Sequence, residues 1–190
     1  MKNEVLLVNS EALNSVKKVL FLDENIPGLE ILKSGAIAAF ETVAIDRNSD
    51  GIHQISTHLE KYRHPVELHL VSHGSPGCLH LGCNSLNLEN ISHYSDEIKA
   101  WNLSALILYG CNVATGDAGS EFIEKLYHLT GANVAASTTK TGHSDLGGNW
   151  EFDVLQGDFE VDLAWVRSIR ETWHHTLETF EVKPAFFQVI

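Results

Sequence analysis

Short apolar runs recur along the chain, separated by longer stretches in which apolar residues fall at helical spacing. The runs are 18–22 (KVLFL), 39–45, Val66–Val71, 105–109 (ALILY) and 133–137. Each has the length and composition of a buried strand. Between them, Ile52, Ile55, Leu59 and Tyr62 line one face of a predicted helix; Ile91, Tyr94, Ile98 and Trp101 line a second, and Phe122, Ile123, Leu126 and Leu129 a third. Residues 23–25 turn into a helix around 28–33. Polar residues 46–51 form a loop and helix cap, Asp117 is the expected N-cap of the third helix and Gly131 its stop. A hairpin is predicted for Cys78–Leu81 with 85–88, turning through Gly82, Cys83 and Asn84. After a polar loop over 138–149, residues 150–154 are expected to close the sheet.

Strands alternating with amphipathic helices imply βαβ crossovers, hence an α/β fold with a mostly parallel central sheet flanked by helices. The expected organisation is an arm over 1–16 with a short strand at 5–8, one domain over 17–160, and a tail over 161–190. In that tail Leu163, Val166, Ile169 and Trp173 line an amphipathic helix and the last residues are apolar. The tail reads either as a helix packed on the domain or as a docking segment for a partner.

With 190 residues and 44% hydrophobic content, one sizeable core is expected. The net charge of −12 argues against nucleic acid or a membrane surface as partner and suits a cationic one. No apolar run is long enough for a transmembrane helix, and the N-terminus is too acidic for a secretory signal. Three cysteines, an odd number, read as reduced thiols, so the expected compartment is the cytoplasm.

Two strand ends carry candidate chemistry. Cys111 follows the 105–109 run and precedes the third helix; His73, with Gly74 after it, follows Val66–Val71. In an open α/β sheet, ligands bind outside the carboxyl ends of the strands, and a helix N-terminus is expected to lower a thiol pKa. Neighbouring parallel strands would set His73 beside Cys111, the minimum for thiol nucleophilic catalysis. Backbone N–H groups of Gly74 and Cys111 would form the oxyanion hole. The competing reading makes Cys111 a buried small hydrophobe and His73 a strand-end residue bonded to backbone. Cys78, His80 and Cys83 read as a thiol-rich hairpin rather than a zinc site, because only three ligands are present. His69 reads as a core residue or a support for the site, and His174 and His175 as exposed surface. The glycines over 110–119 lack the Gly-Lys-Ser/Thr of a phosphate loop.

The blocks VSHGSPGCLHLG (71–82), LYGCNVATGDAGSEF (108–122), LTGANVAAST (129–138) and GGNWEF (147–152) resemble a bacterial domain-of-unknown-function family. That family often stands at the N-terminal end of very large surface or calcium-binding repeat proteins. More widely, a strand ending in His-Gly and a later strand ending in Cys resemble the caspase-like cysteine peptidases of clan CD. The resemblance covers about residues 17–160. It implies a caspase-like three-layer sandwich and a cysteine endopeptidase acting through Cys111 and His73 on a polypeptide, with no cofactor and no metal. Its substrate would be the chain itself or an associated protein. The strand after the nucleophile strand would pair with the substrate through Ala136, Ser137 and Thr138. Metacaspase-like relatives bind a basic P1 side chain with an acid two residues before the nucleophile; here that position is Tyr109, leaving Asp117 or Asp145 to serve. The alternative is a catalytically silent caspase-like interaction or targeting module that docks a partner through 161–190. Kinship to surface proteins also allows export without a cleaved signal.

Overall fold

A computed structural model of the chain describes residues 16–179; the strand expected at 5–8 and the apolar end over 180–190 lie outside the described residues. The central sheet has six strands in the order β2 (Phe40–Ile45), β1 (Lys17–Asp23), β3 (Val66–Val71), β7 (Leu103–Tyr109), β8 (Asn133–Ala136) and β9 (Val154–Gln156). The first five run parallel, and β9 lies antiparallel on β8. The middle strands are apolar on both faces because layers cover them on both sides. Thus Val19 and Phe21 of β1 enter one core cluster and Leu20 and Leu22 the other.

Helices α2 (Gly51–Leu59), α3 (Ser95–Ala100) and α4 (Gly116–Thr130) cover one face, together with an antiparallel trio β4 (Gly74–Ser75), β5 (Cys78–Leu81) and β6 (Asn84–Asn87). Asp50 caps α2, its carboxylate accepting from the Ile52 and His53 amides. The other face carries α1 (Leu29–Gly35), α5 (Arg167–Thr172) and the extended segment from Trp150 onward. The molecule is a three-layer α/β sandwich with a mostly parallel sheet, as the pattern predicted. Among the described residues no helix is long and apolar enough to cross a membrane.

The differences from expectation are local. Thr115, not Asp117, occupies the N-cap of α4, and Asp117 sits in the first turn, where its charge still faces the positive helix end. Gly131 ends α4 in the left-handed conformation, φ 65°. The hairpin turns one residue earlier than expected, with β6 starting at Asn84. Residues 150–152 are not a strand: Trp150 and Phe152 pack on the buried Tyr109 ring instead, and pairing resumes at Val154. The helix expected through Leu163 and Trp173 shortens to Arg167–Thr172, because Trp165 and Trp173 are pinned at its two ends. Their indole N–H groups donate to Leu32 O at 2.7 Å and Pro27 O at 2.8 Å. Ala164, Trp165, Trp173 and Leu177 are fully buried, so 161–179 is built into the domain.

Candidate active site

β3 and β7 are neighbours, with Val71 opposite Tyr109. Two residues further on, at the carboxyl edge of the sheet, the two strand ends carry His73 and Cys111. Val71, Tyr109 and Cys111 share the core cluster under 150–179, whereas His73 lines a depression with Asn25, His80 and Thr179. Gly74 is where the two strand ends touch. A Cβ there would lie 3.0 Å from the Cys111 carbonyl oxygen, 3.1 Å from its amide nitrogen and 2.7 Å from Val113, so only glycine permits the approach. Asn112 then turns the chain sharply at φ 59°, a left-handed conformation that asparagine tolerates.

His73 Nε2–H donates to the Asn25 carbonyl at 3.2 Å. Asn25 is held in turn by Asp23, whose Oδ1 accepts its amide at 2.8 Å and whose Oδ2 accepts the Gly82 amide. Burial pushes the Asp23 carboxyl up, against the pull of those hydrogen bonds and of nearby His73. Asp23 and Asn25 were read from sequence only as a turn. The signal that could have found them is an acidic residue ending a third strand at the same sheet edge.

Cys111 is fully buried. Its Sγ accepts from the Thr141 amide at 3.3 Å and lies 3.5 Å from the Thr141 carbonyl. Burial pushes the thiol up to about 11, and the Glu178 carboxylate adds to this; amides of Thr141 and Leu177 and the Lys140 ammonium act the other way. The lowered pKa expected from the helix N-terminus is therefore not found, because α4 starts only at Gly116 and desolvation outweighs it.

What covers the thiol is the segment 174–179. His143 N–H donates to His175 O at 2.8 Å, Leu177 N–H to Thr141 O at 3.0 Å, and Gly74 N–H to Leu177 O at 3.1 Å. Lys140 Nζ meets the Glu178 carboxylate at 2.8 Å. The edge that accepts an extended chain is thus 141–143. The edge at Ala136, Ser137 and Thr138 is already in use. Ala136 pairs with Val154, Ser137 O accepts the Ala114 amide, and Thr138 bonds Asp153 through both its amide and its hydroxyl. Asp145 is exposed beside His143, and Asp117 is exposed on α4.

His69 is a buried linker. Tyr109 OH accepts from the Ala164 amide at 3.3 Å and donates to His69 Nδ1 at 3.1 Å, and His69 Nε2–H reaches Glu67 at 2.7 Å. Burial lowers the His69 pKa even though Glu67 pulls it up. Cys78, His80 and Cys83 do not converge: Cys78 Sγ stands 4.0 Å from His80 Nε2, and Cys83 is exposed. All three thiols are free. His143, Asp145 and His174 do have ligand atoms within 4.8 Å of one another. However, His143 Nδ1 accepts from the Asp145 amide and Nε2 donates to Glu171 O, so both ring nitrogens already serve the loop.

Neither the curated proteins nor the solved structures yield a match to this chain. A family model described as Domain of unknown function (DUF4347) matches residues 19–177, from the first strand to the residue whose carbonyl meets Gly74 N–H. The match spans both strand ends, the 141–143 edge and the segment laid on it as far as Leu177, and the chain belongs to that family.

Proposed function

We propose that the chain is a cysteine endopeptidase of the caspase-like kind, with Cys111 as nucleophile and His73 as its acid–base partner. The observation that carries this reading is the Gly74 amide, which donates to a peptide carbonyl at 3.1 Å where the two strand ends meet. A backbone N–H aimed at a carbonyl oxygen beside a thiol is what an oxyanion hole requires. The Asn25 carbonyl orients the His73 ring through Nε2, and the imidazole takes the thiol proton and passes it to the leaving amine. Thiol, imidazole and backbone amide suffice for the reaction, so it requires no cofactor. The substrate is an extended polypeptide paired with 141–143. Three free thiols suit a reducing compartment, the cytoplasm.

A second reading, a catalytically silent module of the same fold, is favoured by one observation: the covered thiol is held neutral, with its pKa near 11. Digestion of a mixed peptide library near neutral pH separates the two. The peptidase cleaves library peptides, Cys111→Ala abolishes cleavage, and His73→Ala slows it by about 10²-fold or more. Absence of cleavage by the wild type, together with slow alkylation of Cys111, would overturn the peptidase reading in favour of the silent module.

A further inference from the structure

We infer that the segment 174–179 is this chain's own substrate, and that Leu177–Glu178 is the bond held for cleavage in cis. The inference rests on the peptidase reading above. An extended peptide that adds to an exposed edge is recognised through alternating main-chain bonds. Here these run from the His143 amide to His175 O, from the Leu177 amide to Thr141 O, and from the Gly74 amide to Leu177 O. The last bond places one particular carbonyl, that of Leu177, on the donor that would bind the oxyanion. The Leu177 amide also lies against the Cys111 thiol, partly countering its burial.

The residues on either side of the bond differ in kind. Leu177 is fully buried in the cluster that contains Cys111, Ile26 and Trp173, so the site selects a large aliphatic P1 side chain rather than a basic one. Glu178, on the leaving side, turns out to Lys140. Thr179 then enters an open depression of about 510 Å³ lined by Asn25, His73, His80 and Ser85, which gives the leaving strand room.

The step balances without an outside reagent other than water. Cys111 Sγ bonds to the Leu177 carbonyl carbon as its proton passes to His73. The Leu177–Glu178 C–N bond breaks as His73 gives that proton to the Glu178 nitrogen, which leaves as an amine. Water then adds its hydroxyl to the thioester carbon and returns a proton to sulfur, leaving a free thiol and a Leu177 carboxylic acid, which loses its proton to the released amine. Release of the chain from Glu178 onward removes the Lys140 tether and leaves Leu177 as a chain end over Cys111.

The test is intact-mass analysis and terminal sequencing of the purified full chain during incubation under reducing conditions, beside the same peptide library. The wild type converts to a chain ending at Leu177 plus a peptide beginning at Glu178, at a rate independent of protein concentration. Cys111→Ala stays full length. So does Glu178→Pro, which alters the leaving nitrogen at a half-exposed position and keeps Leu177 in the core; it serves also if Cys111→Ala fails to fold. Cys111-dependent cleavage of library peptides with the chain intact at Leu177 would overturn this inference and leave the peptidase standing. Cleavage of neither overturns both.

Discussion

The two faces of the central sheet are covered by different means. Under α2, α3, α4 and β4–β6 the cover is regular: Ile52, Ile55 and Leu59, then Phe122, Ile123 and Leu126, descend at helical spacing onto β-strand aliphatics. The opposite face has two short helices and a long irregular segment, so aromatic bulk and polar anchors take over. Trp150, Trp165 and Phe152 surround Tyr109, and two indole N–H groups tie the segment to carbonyls in and before α1. Cys111 lies at the edge of this second face. Regular elements use up their own amides and carbonyls; an irregular segment leaves them to be placed, and the bonds to Gly74, Thr141 and His143 are made from such groups.

The comparison breaks hardest under large-to-small substitution in each cover. Phe122→Ala and Trp173→Ala both remove fully buried rings and are each expected to cost about 3–5 kcal/mol in urea unfolding. Only Trp173→Ala should also speed iodoacetamide labelling of Cys111 in conditions where both variants remain folded, because Trp173 anchors the start of 174–179. Equal acceleration by Phe122→Ala would mean that the cover of Cys111 opens only with the whole domain.

Alkaline pH sharpens the contrast next. The folded thiol of Cys111 is pushed up to about 11 from an ordinary 9, so the folded state holds its proton more tightly. Its contribution is fully present below about pH 9 and is lost as the unfolded thiol ionises and pH rises toward 11, on the order of 2–3 kcal/mol. Cys111→Ala lacks this term, so unfolding free energies of the two proteins should converge or cross over that window. The exposed Cys83 should label far faster than Cys111 throughout. Parallel pH curves for wild type and variant would mean the thiol is not desolvated as described.

Tyr109→Phe comes third. It strips the hydroxyl that joins the Ala164 amide to His69, leaving a buried N–H and a buried ring nitrogen without that partner. The expected cost is about 1–3 kcal/mol, read as a lower urea midpoint. A neutral outcome would show that the aromatic ring, not its hydroxyl, holds the irregular cover.

The same division explains what could be read from sequence. The regular face follows from period alone: the helices carrying Ile52 to Leu59 and Phe122 to Leu126 exist because their apolar residues recur once per turn, and Asp50 and Gly131 mark two of their ends. The strand order that makes β3 and β7 neighbours follows from βαβ handedness and short connections. Trp150 and Trp173 instead answer to distant partners, and no local period shows that an indole will reach Pro27, 146 residues away in the chain. Likewise Ala136, Ser137 and Thr138 were given to the substrate by resemblance alone; in the structure Ala136 pairs with Val154 of β9 and an extended segment lies on 141–143 instead. The sign of the Cys111 shift was missed for the same reason, since its cover comes from the far end of the chain.

The smallest expected effect is the most discriminating. Lys140 and Glu178 meet at 2.8 Å with side chains 39% and 46% exposed, so solvent screens the pair and its loss should leave the melting temperature unmoved. Yet the pair sits at the end of the segment that covers Cys111. Lys140→Ala should therefore speed Cys111 labelling a few-fold by letting 174–179 lift more often. Glu178→Lys should do so more strongly through like-charge repulsion, and combining it with Lys140→Glu should restore the slow rate. If Lys140→Ala instead lowers stability as much as Tyr109→Phe, the segment belongs to the core and unfolds with it. A labelling change without a stability change marks a strand laid in a groove, able to leave while the regular face stays folded.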